Sequence, residues 1–392
     1  MGFETFGAAQ STLIWIGFAL AFIIGAVANK THFCTMGGVS DWVNMGDTGR
    51  LRAWIFAMGV AMLGVAILEF FGMVNLSSTF PNYRGSSIAW SENILGGVMF
   101  GIGMTLASGC ANNTLVRLGG GNLKSLVVFL VVAVMAYYMV LPFPGSDKTI
   151  YSVLFYPWMN PIAVDIAKPQ DLGSIFGGEN PAMIRMIVGL VVAAALIAFA
   201  FKAEDFRGNS NNILAGLVIG IAIVIAWYVS SAIILKNEMM GDMNLSSAVN
   251  QWDMVSDNPD ARPAYSRNFL AQSFTFVNPI GQSLDYFAHG FSSKFLSFGI
   301  MSVFGVFLGS LVWSLATKTF RIEWFASVKD FVNHFFGAIL MGIGGVLGMG
   351  CTIGQGVTGV STLAVGSILT FLGIFAGSAL TMKFIYWRMM RG

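Results

Sequence analysis

Nine runs of about twenty apolar residues, broken by polar connections, constrain this chain more than anything else in it. They are expected over residues 12–28, 52–74, 93–108, 123–141, 182–201, 212–235, 294–317, 331–348 and 362–387. A helix of roughly 20 residues crosses the hydrocarbon core of a bilayer. In lipid every backbone N–H and C=O must be bonded within the protein, which leaves helices or closed barrels. Only 10% of the 392 residues are charged, against about 25% in soluble domains. The expected class is therefore an all-α polytopic membrane protein. A net charge of +2 gives no reason to expect a nucleic-acid partner. Four further apolar pieces, residues 33–42, 112–118, 273–287 and 353–360, are too short to span and are expected as re-entrant segments inside the protein. The first residues carry Glu4 but no Lys or Arg. The basic start of a signal peptide is thus missing, and the first run is expected to stay as a helix.

Lys and Arg set the orientation. With the N-terminus outside, thirteen of the 21 basic side chains fall on one side, mostly in short connections. The other eight share their side with most of the acids and with two long loops, residues 142–181 and 236–272. Short-loop basic excess marks the cytoplasmic face. A periplasmic N-terminus and a cytoplasmic C-terminus are expected.

The chain also repeats itself. Gly101, Ile102, Gly103, Leu106, Gly109 and Cys110 recur 241 positions later as Gly342, Ile343, Gly344, Leu347, Gly350 and Cys351. Each copy is an apolar glycine-rich helix ending at a cysteine, followed by a polar turn and a second apolar helix. Four runs precede residues 182–201 and four follow, so the odd run between forces the two halves into opposite orientations. The expected division is 1–141, a linker 142–211 holding the first outer loop, and 212–392. Inverted repeats in transporters place the substrate near the bilayer midplane, at the repeat interface. A weaker echo sets Phe33, Cys34 and Thr35 against Phe274, Thr275 and Phe276.

Cys34, Cys110 and Cys351 are the chain's only cysteines. So few argue for free thiols rather than a disulfide framework. Cys110 and Cys351 fall where an apolar helix breaks and a short helix begins, and a helix N-terminus aims free N–H groups and a positive dipole end at whatever fills the break. Polarizable sulfur and a weak S–H donor suit a soft, sulfur-bearing anion better than a hard oxyanion. The bland alternative is that a buried cysteine is a small hydrophobe; two of three at equivalent places in a repeat weigh against it. Asn113, Thr114 and Gln355 are the candidate polar neighbours.

Other features read as structural. The pairs Gly97/Gly101, Gly216/Gly220, Gly305/Gly309, Gly344/Gly348 and Gly373/Gly377 are small-xxx-small faces for helix contact. The run Gly119–Gly121 has no preceding strand and no following Gly-Lys-Ser/Thr, so it is a turn rather than a phosphate loop. His32, His289 and His334 share no metal-ligand spacing, and His32 stands out only for its place two residues before Cys34. Glu69 and Asp285 lie near expected helix ends, where water-facing positions are expected. Arg117 and Lys124 flank the first cysteine motif, either as cytoplasmic anchors or as charges that draw an anion inward. No C-x-x-C pair of the kind a membrane thiol enzyme would use is present, and no catalytic residue or cofactor is expected.

Three stretches together resemble the YeeE/YedE family of bacterial inner-membrane proteins. They are FCTMGGVSDW from Phe33 to Trp42, GIGMTLASGCA from Gly101 to Ala111, and GIGGVLGMGCTIGQG from Gly342 to Gly356. The resemblance covers most of the chain. It implies uptake of thiosulfate or a related small sulfur anion across the bilayer, with Cys34, Cys110 and Cys351 holding the ion by transient S–H···S contacts and no covalent change. It also implies an hourglass shape, and a soluble TusA-like sulfur carrier as a partner, expected as a separate chain. Some members of the family are linked to selenium or other sulfur compounds, which leaves the cargo open at this point.

Overall fold

The structure is a computed structural model that describes residues 1–236, 241–256, 258 and 261–391. The remaining residues of the long loop expected over 236–272, and the last position of the second half, lie outside the described residues. Twelve α-helices form its frame: α1 (Phe6–Thr31), α2 (Thr35–Met45), α3 (Gly49–Phe70), α4 (Trp90–Leu106), α5 (Ala111–Gly119), α6 (Leu123–Val140), α7 (Pro181–Phe201), α8 (Ser210–Ala232), α9 (Val277–Ala288), α10 (Phe298–Ala316), α11 (Val328–Leu347) and α12 (Val365–Arg391). A π-helix, Thr352–Gly359, stands between α11 and α12. Among the described residues nine helical segments are long and apolar enough to cross a membrane. The chain is an all-α, multi-pass membrane protein.

The ends of these helices follow from local chemistry. Asn122, Ser297 and Ser327 accept from Ser125 N, Ile300 N and Asp330 N at 3.2, 3.3 and 3.1 Å, which caps α6, α10 and α11. Each satisfies an N–H that the first turn cannot bond internally. Pro181 opens α7, where its missing N–H costs nothing. The four pieces too short to span appear as α2, α5, α9 and the π-helix. Residues 273–276 are not helical, so the third piece starts four residues later than its apolar run.

Helix contacts recur under exchange of the halves. With α1 to α6 matched in order to α8, α9, α10, α11, the π-helix and α12, the contact of α1 with α10 has its counterpart in α8 with α3. In the same way α4 with α12 matches α11 with α6, and α2 with α12 matches α9 with α6. The contacts α4 with α11 and α1 with α8 map onto themselves. We infer that the halves are equivalent units around an approximate two-fold axis, with α7 the odd helix between them. Only Gly189, Ala193 and Ala200 of α7 are buried, and it leans on α3 at the periphery.

Glycine makes the central contacts possible. A Cβ on Gly344 would lie 2.7 Å from the Gly96 carbonyl oxygen, and one on Gly103 2.6 Å from that of Gly337, so α4 and α11 touch backbone to backbone. Such close approach is how helices associate in lipid. The first outer loop returns to this centre. Val365 N donates to Gln170 O at 2.9 Å, Leu172 N to Leu363 O at 3.2 Å, and Gly366 N to the Gln170 side chain at 3.1 Å.

Candidate functional site

The same shape of helix break stands two residues before each of the three cysteines. At the end of α1, Phe33 N donates to Ala28 O at 3.1 Å and His32 is left-handed at φ 52°. At the end of α4, Gly109 N donates to Met104 O at 2.8 Å and Ser108 has φ 58°. At the end of α11, Gly350 N donates to Gly345 O at 2.7 Å and Met349 has φ 57°. Each is a Schellman-type stop, which bonds carbonyls the last turn would leave orphaned.

After each stop the cysteine is extended and becomes the N-cap of the next short helix. Cys34 Sγ accepts from Gly37 N at 3.5 Å and Cys351 Sγ from Gly354 N at 3.4 Å. Cys110 makes no such side-chain cap. All three thiols are free and buried, at 7%, 1% and 0% exposure for Cys34, Cys110 and Cys351. Cys110 lies within electrostatic range of each of the other two thiols, so the three form one group. The walls are apolar. Phe33 stacks on Trp54 with ring centroids 4.4 Å apart, and Phe100, Met104, Phe274 and Phe276 are fully enclosed in the same hydrophobic core as Cys110 and Cys351.

Polar atoms in these breaks lack partners. Of eleven buried side-chain atoms without a hydrogen bond among the described residues, five are Thr35 Oγ1, Asn112 Oδ1, Thr275 Oγ1, Thr352 Oγ1 and Gln355 Oε1. An unpaired buried polar group costs about 1–3 kcal/mol, a cost the fold carries at each of these five atoms. Thr275 is the sequence echo of Cys34, although the N-cap of α9 is Phe276.

The proposed polar neighbours differ in placement. Gln355 is buried and its Nε2 donates to Gly348 O at 2.7 Å. Thr114 is buried too, but its hydroxyl donates to the Cys110 carbonyl at 3.1 Å. Asn113 is half-buried and lines a cavity of about 420 Å³. Gly109 and Gly350 make room for two of them: a Cβ would strike the Asn113 side chain in one case and lie 3.2 Å from Gln355 Cγ in the other. That cavity reaches Cys34 and is also lined by His32, Gly37, Arg50, Arg117, Arg321 and Glu323. Its three arginines all belong to the basic set that marks one face of the chain. Lys124 does not line it; its Nζ pairs with Asp330 at 2.8 Å. No His, Cys, Asp or Glu group able to hold a metal occurs among the described residues.

Two acids depart from expectation. Glu69 does not face water: it accepts from Arg84 Nη1 at 2.5 Å and Arg185 Nη1 at 2.6 Å, and Arg185 Nε lies 3.1 Å from Asp171. Asp285 is buried as well, accepting from the Tyr265 hydroxyl at 2.9 Å and facing His289 Nδ1 at 3.2 Å. A position at a helix end looks solvated in sequence, yet here outer loops fold back over it. Tyr83 was not legible at all. It sits in the loop after α3, 2% exposed, and its hydroxyl donates to Gly354 O at 2.9 Å, beside Cys351. Burial and the nearby Cys351 sulfur push its phenol well above the usual range, so it remains a donor.

Residues 30–380 match the family described as Sulphur transport. The chain is 22% identical over 384 residues to the thiosulfate transporter TsuA of Escherichia coli, with 94% of each chain covered. It is 23% identical over 391 residues to the thiosulfate transporter TsuA of Spirochaeta thermophila, covering 96% of this chain and 100% of the other. A match across nearly all nine spanning segments and all three cysteine breaks places this chain in the Sulphur transport family.

Proposed function

We propose that this protein takes up thiosulfate, or a closely related small sulfur anion, across the bacterial inner membrane along a path formed by Cys34, Cys110 and Cys351. The observation that carries the reading is the grouping of all three thiols, each at the N-terminus of a short helix and each beside a buried polar atom with no partner. Helix N-termini attract negative charge. The thiols and apolar walls offer a poorly hydrated surface on which sulfur–sulfur contact competes with water. An ion held by S–H···S contacts and N–H groups, without a covalent bond, can leave as readily as it enters. Cys34 also faces the cavity of about 420 Å³, which makes it the last thiol before that mouth. Asn113 and Gln355 would turn with the ion, while Thr114 acts through the backbone of Cys110. The family and both relatives support transport rather than chemical conversion. A TusA-type carrier, as a separate chain, would meet the ion at the cytoplasmic mouth.

The test is growth of a sulfate-uptake-deficient bacterium on thiosulfate as sole sulfur source. Rescue is expected from the wild type and not from Cys110→Ala, with both proteins present in the membrane. Equal rescue by Cys110→Ala would sink the thiol path. No rescue by either would turn the search to other sulfur or selenium anions.

A further inference from the structure

The thiol group contains no fixed positive charge, yet an anion leaving water needs one nearby. Arg50, at the start of α3, supplies it in a defined orientation. Its Nε and Nη2 donate to the two oxygens of Asp41 at 2.5 and 2.6 Å. Asp41 itself is 8% exposed. This two-point pairing fixes the guanidinium plane and leaves Nη1 on its far side. Nη1 lies against Gly37, where a Cβ would collide with it. Gly37 is also the residue whose N–H reaches Cys34 Sγ. A guanidinium edge, the N-terminus of α2 and a thiol therefore converge on one wall of the cavity. Arg117 lines the same cavity, its Nη1 donating to Ser108 O at 2.7 Å, and no carboxylate pairs with it among the described residues.

We propose that Arg50, oriented by Asp41 and assisted by Arg117, binds the oxyanion end of the transported ion while Cys34 holds its sulfur end. Guanidinium groups match the oxygens of a small oxyanion by charge and by paired donors, and a thiol matches a soft terminal sulfur. The site thereby selects small anions in which a terminal sulfur is joined to an oxygen-bearing centre. Asp41 tempers the charge, so the ion is oriented at the mouth rather than trapped there. This assignment rests on the reading of the chain as a sulfur-anion importer, but its test does not need transport.

The test uses the full chain, purified, with Cys110→Ser and Cys351→Ser so that Cys34 is the one thiol left. Two methanethiosulfonate reagents of similar size are compared, one ending in a sulfonate and one in a trimethylammonium group. The sulfonate reagent carries sulfur at one end and an oxyanion at the other, and is expected to label Cys34 faster. Arg50→Gln should lower the anionic-to-cationic rate ratio by roughly tenfold or more, the scale of local electrostatic steering. Arg50→Lys should restore part of it, since the charge returns without the paired donors. Arg50→Gln alone strands the Asp41 carboxylate, so the pair Asp41→Asn with Arg50→Gln guards against misfolding and should lose the ratio as well. Thiosulfate should slow labelling in the Arg50 protein and not in the Gln variants. An unchanged ratio in the double variant, or protection that survives it, would overturn the assignment. Growth on thiosulfate fails independently: charge-selective labelling without rescue would leave this site standing and remove import alone.

Discussion

At the scale of single residues, the value of a charge here depends on what surrounds it. Arg84 is 5% exposed and gives its guanidinium to Glu69 and to the Thr362 carbonyl, at 2.9 and 2.8 Å in the latter case. Arg185 shares Glu69 and also meets Asp171. Removing one partner of a buried pair leaves the other charge uncompensated, at a cost of about 3–5 kcal/mol. Glu69→Gln is therefore expected to lower thermal stability in detergent by an amount of that order. Glu204→Gln serves as the control. Its contact with Arg207 is 4.0 Å between exposed side chains, and pairs of that kind contribute little. Comparable melting shifts for both variants would mean the Glu69 cluster does not hold the outer loops. The same cluster shows a limit of sequence reading. Glu69, Arg84, Asp171 and Arg185 lie in four separate stretches, and only the fold of the loops brings them together.

At the scale of elements, the spanning helices were legible because about twenty apolar residues in a row leave few alternatives in lipid. The four short helices were legible for the converse reason, and their ends agree with the apolar runs to within a few residues. The geometry of the breaks was not. Left-handed stops are expected at glycine, but at the three cysteine breaks the residues that adopt positive φ are His32, Ser108 and Met349. The glycines beside two of them, Gly109 and Gly350, serve instead to admit Asn113 and Gln355. The three thiols could thus be placed at helix breaks from sequence, whereas the common shape of those breaks needed coordinates. A left-handed residue with a Cβ costs roughly 1–2 kcal/mol relative to glycine. Ser108 is half-buried and uses its carbonyl, not its hydroxyl, to hold Arg117. Ser108→Gly is accordingly expected to raise stability by about 0.5–1 kcal/mol, and Ser108→Val, β-branched at positive φ, to lower it. Thermal unfolding of the two purified variants checks the sign; a loss for Ser108→Gly would mean the stop is held by something other than backbone preference.

At the scale of the molecule, the two faces of the thiol group are treated differently although helix contacts recur between the halves. On one side Tyr83 and Arg84 reach in from the loop after α3 to bond the carbonyls of Gly354 and Thr362, and Gln170 to Leu172 bond the chain from Leu363 to Gly366. On the other side lies the cavity of about 420 Å³ with its arginines. Which face is cytoplasmic fixes the direction of every step proposed above, and we propose the orientation that the basic side chains favour: thirteen against eight, with the thirteen concentrated in short connections. An odd number of spans, nine among the described residues, then puts the two ends of the chain on opposite sides. We predict that a fluorescent protein fused after the last residue folds and fluoresces in the cytoplasm, and that alkaline phosphatase in the same place is inactive. A phosphatase placed after residue 178, in the loop whose Gln170 and Asp171 cover the start of α12, should be active, since the proposed orientation puts that loop in the periplasm. If both activities are reversed, the open cavity faces outward and Cys34 becomes the first thiol an incoming ion meets; Arg50 would then select ions on entry instead of orienting them on release.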